Sequence, residues 1–285
     1  MQSETIRQNY IRRINKVVEY INSHLDEKID LKTLARISNF SEYHFHRIFK
    51  ALKKEPLATY VTRLRVESSA ILLRYSDLPI EQIAENVGYE MASSLSKSFK
   101  KFYGVSPAEY RNNKKLHIME RENLYTEIKL KAPKIIDLEP KQVIYISLSG
   151  AYGTLNYEEA YAKLWAFVKE NKLFTAGIEH ICISYDDPKI TESDKQRSDI
   201  CLAIHKPVKS FGEVGVKEIG GGKYAMFFYQ GSYDNLSDVY DTIFSKWLPE
   251  SGHELRNTFT FEKYRNDCRK TPPEKLKTEI YIPIK

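Results

Sequence analysis

Two sets of side chains in this sequence could do chemistry, and they differ in kind. The first is cationic and repeated: Arg47 and Lys50 recur as Lys97 and Lys100, with Lys101 beside the second pair. Residues three apart share one face of a helix. An arginine can bond O6 and N7 of a guanine together, whereas lysines meet phosphates, which position a protein on a duplex without reading its sequence. The second set centres on one acid. Glu262 lies in Phe259-Thr260-Phe261-Glu262-Lys263-Tyr264, where strand alternation puts Thr260, Glu262 and Tyr264 on one face. A carboxylate among aromatic rings selects a lipophilic cation by charge and cation–π contact. Desolvated, it would instead hold a proton. The same spacing also fits an ordinary exposed strand glutamate.

Other chemistries are poorly provided for. There is no Ser-His-Asp arrangement, phosphate loop or metal-ligand cluster. His44 and His46 are two apart and do not face each other on a helix. The cysteines Cys182, Cys201 and Cys268 form no Cys-x-x-Cys pair, so a reducing compartment without disulfides is expected. Cys182 and Cys201 fall on strands and read as small buried hydrophobes. No catalytic residue, metal or cofactor is assigned. No apolar run approaches a membrane span and no signal peptide is visible, so the expected location is the cytoplasm.

The elements that must position the cations lie in a basic first part. Residues 1–115 carry a net charge of +7 and residues 116–285 a net charge of −1, which points to a polyanionic partner for the first part alone. Residues 6–25 place Ile11, Ile14, Val17, Val18, Ile21 and Leu25 on one helical face. Asp30 caps a short helix from Leu31 to Ile37, Asn39 supplies a tight turn, and Ser41 caps a longer helix from Glu42 to Leu52. The pattern recurs about 50 residues on. Pro79 fits the first turn of a short helix from Ile80 to Asn86, Gly88 takes the place of Asn39, and a helix runs from about Met91 to Tyr103. Between the copies, Leu57 to Tyr75 predicts a helix with Tyr60, Val61, Leu64, Ser68, Ile71 and Leu72 on one face. Two such units can enter successive major grooves if their second helices lie about 34 Å apart.

Residues 7–111 resemble the DNA-binding domain of the AraC/XylS transcription regulators. The resemblance is carried by Leu34-Ala35, Ser41 to Lys50, Ile83 to Tyr89, Phe99 to Gly104 and Ser106-Pro107-Ala108-Glu109-Tyr110-Arg111. It implies that outward positions of the second helices meet the bases: Tyr43, His46 and Arg47 in one copy, Ser93, Ser96 and Lys97 in the other. Lys50, Lys97, Lys100 and Lys101 are assigned to phosphates. With serines in place of long polar side chains, the second unit is expected to read sequence weakly.

Past a linker at 116–125, the chain becomes rich in strand signals and tyrosine and repeats with a period near 80. Val143 to Tyr152 parallels Tyr224 to Tyr233, each a strand ending in Gly-x-Tyr and each followed by a helix and two strands. Two halves of this kind, related by a pseudo-twofold axis, would join their sheets around a groove, a common place for a ligand. The fold class is therefore two-domain, α and α+β: an all-helical double helix-turn-helix domain at 1–115, then a repeated strand-helix-strand-strand domain at 126–285. Candidate groove walls are Tyr152, Trp165, Tyr224, Phe227, Trp247 and Tyr264, around Glu262.

Residues 126–285 also resemble the GyrI-like effector-binding domain. This likeness is carried by Gly222-Lys223-Tyr224-Ala225, Gly231-x-Tyr233, Trp247-Leu248-Pro249-Glu250-Ser251-Gly252, Phe261-Glu262-x-Tyr264-x-Asn266-Asp267, Thr271-Pro272-Pro273-Glu274 and Ile280 to Ile284. It implies a buried glutamate, here Glu262, contacting lipophilic ligands between walls such as Trp247 and Tyr152. The expectation is a transcription regulator that binds promoter DNA, answers to a small lipophilic effector, works with RNA polymerase and does not enter a membrane. The alternatives are a C-terminal hydrolase using Glu262 as base, or a protein-interaction module.

Overall fold

The computed structural model describes residues 5–112, 128–256 and 258–285, and the chain divides into two compact units. The expected linker at 116–125 lies outside the described residues.

The helical unit follows its capping signals. α1 (Ile6–Ser23) starts at a capping box between Thr5 and Gln8. Asp30 accepts from the Thr33 N–H at the start of α2 (Leu31–Ser38), and Asn39 ends that helix in the left-handed conformation, φ 53°. Ser41 accepts from the His44 N–H and opens α3 (Glu42–Lys53). α4 (Leu57–Tyr75), α5 (Ile80–Asn86), α6 (Ala92–Tyr103) and α7 (Pro107–Asn112) follow. Two starts shift by one residue. Pro79 is the cap rather than the first turn of α5, because its ring fixes φ and leaves ψ free to be extended, here 148°. Met91 likewise precedes α6.

This unit has two cores, and α4 serves both. Leu57, Tyr60, Val61 and Leu64 pack with Ile14, Val17, Leu34, Phe45 and Phe49. Val66, Ala70 and Leu73 pack with Ile83, Ala84, Leu95, Phe99 and Tyr110. The single apolar face expected for α4 fails in its second half: Ser69, Ala70 and Leu73 are buried, while Ser68, Ile71 and Leu72 are half-buried. A helix feeding two cores on different sides must bury most of its circumference. The repeat also extends further than the helix-turn-helix units. Ile14, Val17 and Ile21 of α1 correspond to Val66, Ser69 and Leu73 of α4, 52 positions on. Each half is thus three helices.

The second unit is one antiparallel eight-stranded sheet in the order β1-β6-β8-β7-β3-β4-β2-β5. Its strands are β1 (Lys134–Leu138), β2 (Lys141–Ser149), β3 (His180–Ser184), β4 (Arg197–Ala203), β5 (Gly215–Ile219), β6 (Gly222–Gln230), β7 (Phe261–Tyr264) and β8 (Lys277–Pro283). α8 (Tyr157–Glu170) follows β2. After β6 come α9 (Leu236–Thr242), a π-helical turn (Ile243–Trp247) and α10 (Leu248–Ser251). The expected strand-helix-strand-strand halves are present, and each gains a leading strand. β1 and β5 cross over, β1 pairing with β6 and β5 with β2. The order of strands is the same read from either end of the pseudo-twofold, which passes between β7 and β3. There Glu262 stands opposite Cys182, 80 positions apart in sequence.

One face of the sheet packs on the helices. Ile144, Ile146, Cys182, Ile200 and Leu202 meet Ala160, Leu164 and Val168 of α8. Ala225, Phe227, Tyr229, Ile280 and Ile282 meet Val239 and Ile243. The other face carries a core of its own, including Tyr145, Ile181, Cys201, Tyr224, Phe261 and Tyr281.

Candidate functional site

The cationic set lies on the open faces of α3 and α6. In α3, Phe45 and Phe49 are fully buried, which turns Tyr43, His46, Arg47 and Lys50 to the surface. In α6, Leu95 and Phe99 take the same inward places 50 positions later. Ser93, Lys97, Lys100 and Lys101 are exposed there, and Ser96 is half-buried. The four outward positions of α3 are therefore those of α6, in types that differ: Tyr, His, Arg and Lys against Ser, Ser, Lys and Lys. Tyr43 is 61% exposed and the Arg47 guanidinium stacks 4.5 Å above its ring. A stacked guanidinium is pre-oriented, so it loses less freedom when it forms a bidentate contact. The Nδ1 atom of His44 lies 3.0 Å from Ser41 Oγ, in the cap of α3.

The turns that aim these helices are braced by arginines. Arg13 of α1 donates to the Asn39 carbonyl (3.1 Å) and lies over the Phe40 ring. Arg63 of α4 is buried and paired with Glu55 (2.5 Å) and Glu67 (3.0 Å).

In the second unit, Glu262 is 4% exposed and accepts two phenol hydrogen bonds, from Tyr240 of α9 (3.0 Å) and from Tyr264 two residues along its own strand (2.6 Å). Burial pushes its carboxyl above the ordinary glutamate range, and the two hydroxyl bonds pull it partly back. Tyr157, Tyr161 and Tyr233 are close enough for its charge to raise their own phenols, which burial already raises. The Tyr233 ring lies 5.1 Å from that of Tyr264. Cys182, opposite on β3, is pushed up by burial and then by Glu262.

Around this acid the two halves differ. Tyr240 of α9 and Tyr161 of α8 occupy equivalent helix positions, 79 residues apart. Tyr240 donates to Glu262, but the place equivalent to Glu262 in the first half is Cys182. The Tyr161 hydroxyl is buried without a hydrogen-bond partner among the described residues. A buried polar atom of this kind calls for a water or a ligand.

The expected wall residues divide. Tyr264 touches Glu262. Phe227 and Trp247 pack together, ring centroids 5.0 Å apart, in the cluster that includes Tyr240. Trp165 belongs to the α8 cluster and its Nε1 donates to His180 Nε2 (3.3 Å). Burial holds His180 below the ordinary imidazole value, so its ring is neutral at pH 7 and can accept. Tyr152 is one step removed, since its carbonyl accepts from Tyr157 while its own hydroxyl donates to the carbonyls of Asp186 and Arg197. Tyr224 is a correction. It lies on the opposite face of the sheet with Phe261 and Tyr281, under the Arg256 guanidinium. It is three residues from Phe227 on one strand, and an odd spacing places the two on opposite faces. Tyr240, Tyr161, Tyr157, Tyr233 and His180 were not singled out from sequence as groove walls. Tyr240 and Tyr161 carried a signal, as inward positions of the two helices.

Residues 131–285 match the family described as GyrI-like small molecule binding domain, and residues 34–113 match a helix-turn-helix domain family. The chain is 34% identical over 122 residues to the uncharacterized HTH-type transcriptional regulator YbfP of Bacillus subtilis, which covers 43% of this chain and 41% of that protein. It is 23% identical over 295 residues to the transcriptional regulator Rob of Salmonella typhimurium, covering 95% of this chain and 98% of that one. It thus spans less than half the length of the first relative and nearly all of the second. Among solved structures, the EcmrR C-terminal domain aligns with a TM-score of 0.45 at 16% identity, over 55% of this chain and 99% of that chain. Among the described residues no helix is long and apolar enough to cross a membrane.

Proposed function

Because the chain belongs to the GyrI-like small-molecule-binding family and is a DNA-binding transcription regulator of the AraC type, we propose that its DNA binding is controlled by a small lipophilic cation held against Glu262. The observation that carries this reading is a fully buried carboxylate whose hydrogen-bond partners are two tyrosines. Phenols orient a carboxylate without neutralising it, so an ionised Glu262 is short of positive charge. A desolvated cation with aromatic substituents supplies that charge and fits the surrounding rings. The unpartnered Tyr161 hydroxyl supports the same reading, as a polar group available to a ligand.

On the DNA side, Arg47 carries base reading in the first recognition helix, with Tyr43 and His46 beside it. Ser93, Ser96 and Lys97 face the second half-site, and Lys50, Lys100 and Lys101 meet phosphates. RNA polymerase is the further partner this reading implies, in the cytoplasm. The ligand acts only if it binds better to one arrangement of the protein than to another.

Calorimetric titration with tetraphenylphosphonium and with uncharged triphenylphosphine oxide tests the ligand half. Binding of the cation, lost in Glu262→Gln while the neutral compound stays equally weak in both, supports the proposal. Equal binding of the cation by wild type and Glu262→Gln sinks it. Consumption of an electrophilic ester by wild type but not by Glu262→Gln would move the reading to hydrolysis.

A further inference from the structure

We infer that Arg65 is a positioning residue that fixes the spacing at which α3 and α6 meet DNA. The inference rests on the reading that both recognition helices engage the duplex together. The helical unit has two separate cores, and Arg65 stands at the point on α4 where one gives way to the other, between Leu64 of the first and Val66 of the second. Its Nε donates to the Leu25 carbonyl (3.0 Å) and its Nη2 to the Glu27 carbonyl (2.6 Å), both in the loop after α1. Its guanidinium lies 5.8 Å over the ring of Tyr89, in the turn between α5 and α6. Gly88 of that turn has φ +81°, and a Cβ there would come 2.4 Å from the Leu25 oxygen and 2.6 Å from Arg65 Nη2. The loop of the first half, the shared helix and the turn of the second half therefore meet at one guanidinium.

The internal repeat isolates what is special about this contact. Arg65 corresponds to Arg13, 52 positions earlier, and Tyr89 to Phe40. Arg13 lies over Phe40 and bonds Asn39 within its own half. Arg65 keeps the equivalent ring contact with Tyr89 but sends its hydrogen bonds to the other half. A planar guanidinium holds two carbonyls in a fixed fork, which an ammonium on a flexible stem does not. Without that fork the halves keep the shared helix α4 and the close approach of Gly88 to the Leu25 carbonyl, and helices of this length bend.

Spacing is the property this contact would control, since each base pair added between half-sites moves one of them by about 3.4 Å and turns it by about 34°. The test uses a duplex recovered by the full chain from a random-sequence pool, the same duplex with one or two base pairs inserted between half-sites, and each half-site alone. Wild type is expected to bind the inserted duplexes at least tenfold more weakly. Arg65→Met is expected to lose less than threefold on insertion, while binding single half-sites within twofold of wild type. Arg65→Lys, which keeps the charge, is expected to fall between them, and it decides the matter if Arg65→Met does not fold. A variant that keeps the full insertion penalty overturns the inference. So does one that loses half-site and full-site binding in proportion, as a merely structural role requires. A wild type that tolerates insertions overturns it as well, together with the two-helix reading.

Discussion

Replacing Glu262 by glutamine should leave a constant stability difference at low pH and shift that difference in favour of the variant as the pH rises. Glu262 is buried, its Oε atoms accept from Tyr240 and Tyr264, and burial raises its carboxyl above the ordinary value of 4.5. The other titratable groups facing it, Cys182, Tyr157, Tyr161, Tyr233, Tyr240 and Tyr264, are all pushed upward. Glu262 is the one carboxyl in that set. A folded value above the unfolded one means that its stabilising contribution is complete below the unfolded value and is lost as the pH rises through the folded value. Each unit of elevation is worth about 1.4 kcal/mol. In a unit of this size that is about 3–6 °C of melting temperature. Glutamine cannot accept from both tyrosines with its amide nitrogen, so it also carries an offset that does not change with pH. The assay is the melting temperature of both proteins from pH 4 to pH 9, without ligand. The gap should move in favour of Glu262→Gln as the pH rises, then level off. A gap that moves the other way would mean an ionised carboxylate paired with a cation, and the reasoning would be refuted.

The same titration should appear in binding: affinity for tetraphenylphosphonium rises up to about tenfold per pH unit below the folded value and then flattens, whereas affinity for triphenylphosphine oxide stays level. Gly88→Ala should cost about 2–4 kcal/mol, from a strained positive φ and contact with the Leu25 oxygen and Arg65. Gly104→Ala, at φ +76° with open space around it, should cost only about 1 kcal/mol by denaturant unfolding. Arg63→Ala leaves Glu55 and Glu67 without the cation they share, and should cost about 3–5 kcal/mol in the same assay. Arg47→Ala should relax base preference at one position of the selected site, while Lys100→Ala should weaken all sequences alike and lower the salt slope by about one.

The helix caps and the outward faces of α3 and α6 are legible because they are local. Asp30, Ser41, Asn39 and Gly88 act within a few residues of themselves, and the apolar spacing of Phe45 and Phe49 settles which side of α3 is outward. The 80-residue period likewise gave the halves of the sheet. What the period could not give was the exchange of β1 and β5 between halves, a pairing of residues far apart in sequence. Lys134 to Leu138 and Gly215 to Ile219 stand 81 positions apart, which marks them as equivalent strands but not as exchanged ones. The second half of α4 departs from the expected face because a helix shared by two cores has no single face. Tyr224 is excluded from the groove by parity alone, since it and Phe227 cannot look the same way. Glu262 was found by alternation, but its partner Tyr240 lies on a helix in contact with it only through the tertiary fold. The carbonyls bound by Arg65, 38 and 40 residues away, leave no trace in the pattern of side-chain types.

Control of DNA binding through Glu262 is tested most directly by measuring affinity for a duplex recovered from a random pool, with and without saturating tetraphenylphosphonium, in wild type and in Glu262→Gln. A change of about fivefold or more is expected in the wild type and none in the variant, which should bind the duplex like unliganded wild type. Unaltered DNA affinity in a wild type shown to be saturated with the cation would contradict it.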